Sequence, residues 1–200
     1  YYSDHFGYSV AIDGNTIVVG ARYDDDGGSD SGSAYIFRTT DGGATYGQVA
    51  KLTASDRYYS DHFGYSVAIS GDTIVIGAYC DDDGGSCSGS AYVFRTTDGG
   101  ATYGQVAKLT ASDAASGDSF GNSVAIDGGT VVVGASHYDN GGLGAVYVFL
   151  TTDGGATYGQ VAKLTANDGA TDESFGNSVA IDGDIFLIGA YWPDDGFGSD

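Results

Sequence analysis

The sequence predicts an all-β fold built from β-propeller blades of four antiparallel strands, and three observations support this prediction. A unit of 57 residues recurs along the chain, its apolar runs are short and rich in Val, Ile and Ala, and Gly-containing turns separate them. Short strands at regular spacing with turns between them are typical of repetitive all-β architectures. The 200 residues therefore hold about three and a half blades.

A Phe-Gly pair anchors the repeat and precedes a Ser-Val-Ala-Ile run in every copy. The four pairs are Phe6-Gly7, Phe63-Gly64, Phe120-Gly121 and Phe175-Gly176. Their spacings are 57, 57 and 55 residues, and the shorter third copy has lost two residues in a loop, where deletions are tolerated. We treat residues 1–200 as one partial propeller with repeats at approximately 1–57, 58–114, 115–169 and 170–200, the last incomplete.

Each repeat has room for four strands, as the first copy shows. The predicted strands are Phe6 to Ile12, Thr16 to Ala21, Ser33 to Arg38 and Gln48 to Thr53. Asp13-Gly14 favours a tight hairpin turn between the first two strands. These two strands are nearly continuous in apolar residues, which predicts inner strands covered on both faces, whereas Gln48 and Lys51 can face water on an outer strand.

Two other repeat architectures fit the sequence less well. A β-solenoid would need a shorter period, and a string of separate β-sandwiches would need longer units joined by linkers. Pro193 is the only proline, and no stretch has the composition of a linker. The propeller is therefore the preferred interpretation.

The composition restricts the partners of the chain. Seven basic and 27 acidic residues give a formal charge of −20, which opposes binding to nucleic acid or to an anionic membrane. The acidic excess fits cation binding, a saline environment or the solubility of a repetitive β-protein. No apolar run reaches the roughly 18 residues that span a bilayer, so we expect no membrane insertion in this segment.

The two cysteines predict a cellular compartment. Cys80 and Cys87 stand in a loop, close enough in sequence to close a small ring. A pair in that setting favours a local disulfide and hence an oxidising environment, outside the cell or at its surface; two reduced surface thiols are the alternative. The chain also has no Met, even at position 1, so we expect it to be a processed or excised portion of a longer protein.

The Phe-Gly pairs combine with other motifs into a family resemblance. Gly-Ala follows downstream in every copy, at Gly20-Ala21, Gly77-Ala78, Gly134-Ala135 and Gly189-Ala190. A Gly-x-Ala-Tyr-Val-Phe run comes next, and the whole pattern resembles the FG-GAP repeat of integrin α subunits and related extracellular proteins and lectins. The resemblance implies a propeller that is seven-bladed when complete. Either a longer chain or a partner chain would then supply the remaining blades.

The resemblance departs from integrin-like repeats in its acidic loops. The calcium loop that those repeats often carry between their first two strands is absent, since Ile12 to Thr16 is too short to wrap a cation. Acidic residues cluster instead in the next loop, at Asp24, Asp25, Asp26, Asp30, Asp81, Asp82, Asp83, Asp194 and Asp195. Ca²⁺ prefers six to eight such oxygen ligands. We expect no required cofactor, with two interpretations open: calcium-binding loops, or solvated and mutually repulsive loop tips.

A second resemblance lies between the third and fourth strands. Thr39 to Tyr46 is similar to the Asp-box of sialidase propellers and recurs unchanged at Thr96 to Tyr103 and Thr151 to Tyr158. The motif implies that Asp41, Asp98 and Asp153 accept backbone N–H bonds across their turns. These residues are predicted to stabilise the fold rather than to catalyse a reaction.

The sequence favours a protein that is not an enzyme. A sialidase-type glycoside hydrolase would need three converging arginines and an aromatic nucleophile backed by an acid. Arg38 and Arg95 occupy equivalent repeat positions, so they do not belong to one asymmetric site. Catalytic sites need one such asymmetric constellation, and this chain breaks its symmetry very little.

Two non-catalytic functions remain. The first is an extracellular scaffold or adhesion module that contacts other protein chains or components of the cell surface. The alternative is calcium-assisted, lectin-like binding of glycans. Its stacking residues would be the tyrosines and tryptophan of the loops, namely Tyr58, Tyr59, Tyr138, Tyr191 and Trp192.

Overall fold

The fold is described by a computed structural model over residues 4–136, 143–167 and 174–190. This part of the chain contains fourteen β-strands and no helix. The strands are β1 Phe6–Asp13, β2 Thr16–Ala21, β3 Ser33–Arg38, β4 Gly47–Leu52, β5 Ser66–Ser70, β6 Thr73–Ala78, β7 Ser90–Arg95, β8 Gly104–Leu109, β9 Phe120–Asp127, β10 Thr130–Ala135, β11 Ala145–Leu150, β12 Gly159–Leu164, β13 Phe175–Asp182 and β14 Ile185–Ala190.

The strands form four separate antiparallel sheets in chain order. Three sheets have four strands, β1 to β4, β5 to β8 and β9 to β12, and the last pairs β13 with β14. The first strands of successive sheets contact one another, which places them at the inner side of the array. The prediction of an all-β protein with about three and a half propeller blades is confirmed.

The inner hairpin of each blade closes through a two-residue turn. In the first blade Asp13 pairs with Thr16, and Gly14 adopts a φ of +52° at the first central position, as in a type II′ turn. The other copies place Gly71, Gly128 and Gly183 at the same point with similar φ angles. Sequence and structure agree here because a turn this short leaves room for few backbone conformations.

The Phe-Gly pair interrupts the ladder of the first strand. Phe6 pairs with Ala21 but Ser9 pairs with Gly20, so the two residues between them bulge outward. In the second blade β5 begins only at Ser66, and Phe63 forms a bridge with Gly32 of the preceding blade, as Phe120 does with Gly89. The strand therefore begins three residues later than predicted in that copy.

The hydrophobic core lies between blades rather than within one. One cluster joins Val18, Ala34 and Ile36 of the first blade to Phe63 and Ile74 of the second. A second cluster joins the second blade to the third in the same way. Each blade therefore buries its apolar face only against its neighbour.

One expectation about burial is wrong for the first strand. β1 was predicted to be covered on both faces, yet Phe6, Val10 and Ile12 are 57%, 66% and 65% exposed. The equivalent Val124 and Ile126 of β9 are buried, because they pack against the second blade. Among the described residues, no blade lies on the corresponding side of β1. Burial here depends on the neighbouring blade, which composition alone does not reveal. Among the described residues, no helix is long and apolar enough to span a membrane.

Candidate functional site: the blade junctions

The Phe-Gly and Gly-Ala motifs meet at each junction between blades. Ser9 in β1 donates a hydrogen bond from its Oγ to the Gly64 carbonyl of the next blade, at 2.8 Å. A Cβ atom on Gly20 would overlap that same carbonyl oxygen, so only glycine fits opposite it. The contact recurs with Ser66, Gly77 and Gly121, and again with Ser123, Gly134 and Gly176.

The phenylalanines of the motif fill the same junctions. Phe63 and Phe120 are fully buried, and the Phe63 ring packs edge-on against Tyr92 and Phe94 with centroids 5.4 and 5.9 Å apart. The Phe63 amide donates to the Ser31 carbonyl of the preceding blade at 3.0 Å. Phe175 is partly buried. The motif residues thus hold blades together and leave no reactive group in contact with solvent.

The turns between the third and fourth strands are held by their aspartates. Asp41 accepts hydrogen bonds from the Thr45 amide at 2.9 Å and from the hydroxyls of Thr45 and Thr39 at 2.6 and 2.7 Å. These bonds hold the pKa of Asp41 well below its usual range. Asp98 and Asp153 make the same bonds in the next two copies, and the same contacts lower the pKa of each carboxyl.

Arginines connect these turns across the outer side of the blades. Arg38 donates from Nη1 to the Gly99 carbonyl in the turn of the second blade. Arg95 does the same to Gly154 in the third. The two side chains therefore serve two different junctions and do not converge on one substrate.

A lysine joins acidic residues of two blades at the opposite end of the junction. Lys108 in β8 lies 3.1 Å from Asp81 of its own blade and 2.7 Å from Asp56, which follows the last strand of the preceding blade, and also binds Asp83. The Tyr92 hydroxyl donates to both Asp81 and Asp56, at 2.7 and 2.9 Å. We call this cluster of Lys108, Tyr92, Asp56, Asp81 and Asp83 the clasp.

The electrostatics of the clasp favour its charged form. Burial opposes the charge on Lys108, but hydrogen bonds from its ammonium to Asp56, Asp83 and Asp81 outweigh that cost and raise its pKa above the ordinary value. Burial likewise opposes ionisation of Asp56, and its bonds with Lys108 and Tyr92 hold the pKa below the usual one. The cluster is a compact ion pair network that spans two blades.

The first and third blades carry versions of the clasp. Lys51 binds Asp24 at 2.9 Å and also Asp26, and Tyr35 donates to Asp24 at 2.7 Å. Burial opposes ionisation of Asp24, but these bonds outweigh it and lower the pKa of its carboxyl. In the third blade Lys163 binds Asp113 at 2.6 Å, and the Tyr147 hydroxyl donates to the same carboxylate.

The structure gives a protein partner to six carboxylates of the predicted calcium set, and Asp30 of that set takes part through its amide. Asp24, Asp26, Asp81 and Asp83 bind lysine, as above. Asp25 accepts a hydrogen bond from the Asp30 amide at 2.8 Å, and Asp82 accepts one from the Cys87 amide at 2.7 Å. Asp194 and Asp195 lie outside the described residues.

Calcium binding stays a prediction, and the geometry shows what it would require. Oxygens of Asp56, Asp81 and Asp83 lie within 4.8 Å of one another, a spacing that a cation could use. The Lys108 ammonium already lies among them and would have to leave. Sequence reasoning missed Asp56, although Ser-Asp after the fourth strand recurs at Ser112-Asp113 and was a usable signal.

The two cysteines form a disulfide in the structure, as the loop spacing predicted. The bond joins Cys80 to Cys87 and closes the acidic loop of the second blade. In the first blade Tyr23 and Asp30 stand at these positions. The bridge therefore constrains a loop that the first blade forms without it.

The exposed aromatic candidates are only partly described. Tyr58 and Tyr59 are 60% and 58% exposed, with ring centroids 4.3 Å apart, so they can contact a partner. Tyr138, Tyr191 and Trp192 lie outside the described residues. The structure thus presents one exposed aromatic pair for the glycan alternative.

Asp61 is a buried carboxyl beside the clasp. It is only 4% exposed, and it accepts a hydrogen bond from the Tyr58 amide at 2.5 Å. Burial raises the pKa of Asp61 to about 6, with further increases from Asp81 and Asp56 that Lys108 and the Tyr58 amide partly offset. This residue therefore takes up a proton on folding in mildly acidic solution.

We expect Asp61→Asn to stabilise the protein above pH 6. Unfolded Asp loses its proton near pH 4 and the folded carboxyl near pH 6, so stability falls as pH rises through this window and the full cost remains above it. Asparagine has the same shape and does not ionise, so we expect the free energy of unfolding to rise by about 1–2 kcal/mol at pH 8 and to stay unchanged below pH 4. Urea unfolding at both pH values measures the difference. Asp118→Asn, at the equivalent but less buried position, is the control, and an equal gain at both pH values would contradict the expectation.

The fold and the junctions define a repeat propeller in which sequence motifs mark the contacts between blades. The sequence model of the FG-GAP repeat matches residues 2–37, 46–94, 103–149 and 158–200. The chain therefore belongs to the FG-GAP repeat family. Each internal match runs from the outer strand of one blade into three strands of the next, and the turns of Asp41, Asp98 and Asp153 fall between matches.

Solved structures resemble the chain in fold. Sqt1 of Saccharomyces cerevisiae is 12% identical with a TM-score of 0.52, and the match covers 86% of this chain and 38% of Sqt1. A europium-containing methanol dehydrogenase is 13% identical with a TM-score of 0.53, covering 83% of this chain and 26% of that one. The chain thus spans well under half the length of either protein. No curated protein sequence matches it.

Proposed function

We propose that this chain is a non-catalytic scaffold or adhesion module, outside the cell or at its surface, that contacts other protein chains. One observation carries the proposal: the lysines and arginines that recur in the repeat bind carboxylates and turns, within a blade or across a junction. Lys51, Lys108 and Lys163 bind carboxylates, and Arg38 and Arg95 bind turns of the next blade. These recurring residues thus stabilise the blades and their junctions.

The arrangement of arginines and acids supports a role without catalysis. Arg38 and Arg95 serve separate junctions, which is the opposite of the convergence that a sialidase-type site needs. Asp41, Asp98 and Asp153 are occupied by hydrogen bonds within their own turns. These side chains therefore stabilise the turns and the contacts between blades.

Apolar sheet faces supply the contact surface. Val10 and Ile12 are exposed on β1, and Ile185 and Leu187 are 71% and 72% exposed on β14. The equivalent faces of the third blade are buried against its neighbours, as Val124 and Ile126 show for the first face and Val132 for the second. These two faces are complementary by repetition, so further FG-GAP units, in the same chain or another, are the partners that fit them.

The disulfide supports the location. A bond between Cys80 and Cys87 on a partly exposed loop persists in an oxidising compartment and is reduced in the cytosol. The formal charge of −20 keeps such a surface soluble and disfavours nucleic acid as a partner.

We expect the 200-residue chain to associate in solution through its exposed apolar faces. Light scattering over a concentration series is expected to show species larger than the 20.3 kDa monomer. Replacing Val10 and Ile12 together by Asn is expected to shift the population toward monomer, because it removes apolar area from the face. The matched control replaces Val49 and Val161, which are exposed on outer strands, and leaves association unchanged. Monomers alone at every concentration would contradict the proposal.

A further inference from the structure

A cavity of about 370 Å³ lies between the second and third blades. Tyr65 and Tyr79 line it from the second blade, with the disulfide, and Ser119, Asn122 and Ser136 line it from the third. We propose that this cavity binds a neutral saccharide ring, independently of calcium. The site is separate from the apolar faces and from the exposed tyrosine pair, so it does not depend on the scaffold role.

The cavity exists because large side chains of the repeat are replaced by small ones. Residues 57 positions earlier are His62 for Ser119, Tyr65 for Asn122 and Tyr79 for Ser136. Three aromatic rings are thus exchanged for two hydroxyls and an amide at one junction. The fourth copy repeats two of these changes, at Ser174 and Asn177, so only the third copy carries all three, and a specific binding site needs such asymmetry.

The preceding junction shows what the unmodified repeat does with this space. There the His62 ring packs 5.0 Å from Tyr23 and stacks 5.3 Å from Tyr79. The Arg22 guanidinium lies over Tyr8 at 3.8 Å and over Tyr65 at 5.3 Å. Rings and a guanidinium therefore fill the first junction, and the second is open where their counterparts are missing.

The third-blade wall of the cavity contains polar atoms without partners. Asn122 Oδ1 and Ser136 Oγ are buried and have no hydrogen-bond partner among the described residues, and Ser136 is fully buried. An unpaired buried oxygen is unfavourable, so a ligand that donates a hydrogen bond to it gains affinity. Both oxygens belong to short side chains that line the cavity. The Asn122 amide meanwhile donates to the Asn177 carbonyl at 3.3 Å, which fixes that end.

The chemistry of the lining selects a neutral, hydroxyl-rich ring. None of the described lining residues is charged, so an ion would enter without compensation. Tyr65 and Tyr79, with centroids 4.4 Å apart, offer aromatic surface against which the C–H face of a pyranose packs, while sugar hydroxyls supply donors for the unpaired oxygens. The volume lies within the roughly 300–1,000 Å³ of small-ligand sites. No carboxylate lines the cavity among the described residues, so calcium has no role there.

The proposal is tested by titrating the whole chain with D-glucose, D-galactose, N-acetylglucosamine and cellobiose, using saturation-transfer NMR with EDTA present. We expect at least one of these sugars to bind, and Asn122→Ala to weaken its affinity by about tenfold or more, since an amide contact is lost. The double variant Asn122→Tyr with Ser136→Tyr restores the residues of the preceding junction, so we expect it to fold and to lose binding. Tyr58→Ala, in the exposed pair, is expected to bind as the unmodified chain does.

Three results would overturn the proposal. The first is that none of the four sugars binds at a concentration of about 50 mM, at which even a millimolar dissociation constant would be detected. The second is binding that persists in the double variant. The third is binding that is seen without EDTA and is lost when EDTA is added. Thermal unfolding of each variant checks its fold. If the double variant does not fold, the comparison of Asn122→Ala with Tyr58→Ala decides, since equal affinities would also exclude the site.

Discussion

Gly77→Ala is expected to lower the free energy of unfolding by about 3 kcal/mol or more, the upper end of overpacking costs. The added methyl group would overlap the Gly121 carbonyl oxygen of the next blade and the Ser66 hydroxyl that donates to it. Both atoms belong to the contact that holds the second and third blades together. The carbonyl is backbone, so relief requires a shift of the whole junction. Urea unfolding followed by circular dichroism measures the loss.

Gly189→Ala is the matched control for this prediction. Gly189 is the equivalent glycine of the fourth repeat, but a methyl group there would meet the Ser178 side chain and no carbonyl of another blade. Rotation of the Ser178 side chain about χ1 moves its oxygen away from the methyl group, so we expect the free energy of unfolding to fall by at most about 1 kcal/mol. If both variants lose the same amount, the blade junction is not the source of the effect.

Lys108→Met is expected to cost about 2–3 kcal/mol, because it leaves the carboxylates of the clasp without their cation. Asp81 is buried and receives its charge compensation from this ammonium, whereas Asp56 and Asp83 are partly exposed, which keeps the cost below that of a fully buried pair. Methionine retains the length of the stem and isolates the effect of charge. Unfolding in urea at pH 7 measures the change.

Lys163→Met is the matched control in the third blade. Its partner Asp113 is half exposed, so water compensates the loss and we expect a change of no more than about 1 kcal/mol. Calcium provides a second comparison. It is expected to leave the thermal midpoint of the unmodified chain unchanged and to raise that of Lys108→Met, in which the three oxygens within 4.8 Å become available. Stabilisation of the unmodified chain by calcium would instead support the calcium interpretation of the acidic loops.

The repeat, the strands and the turns of this protein could be predicted from its amino-acid sequence. The period of 57 residues, the apolar runs and the Gly-containing turns place all four strands of a blade to within about three residues, because these are local properties of backbone and side chain. The Phe-Gly and Gly-Ala motifs also led to the FG-GAP family. Asp41 and its counterparts could be assigned to their turns for the same reason, since their partners lie within four residues.

Which residues meet across a junction could be seen only once the blades were placed side by side. Lys108 is 52 residues from Asp56 and 27 from Asp81, and no local pattern states that one ammonium binds both. The sequence of the acidic loops therefore left two interpretations open, calcium binding and solvated loop tips. The fold adds a lysine that binds these carboxylates in the first two blades. The exposure of β1 and the cavity between the second and third blades likewise depend on what a neighbouring blade places opposite each side chain. Packing between blades is a non-local property, and the sequence shows its motifs without showing their partners.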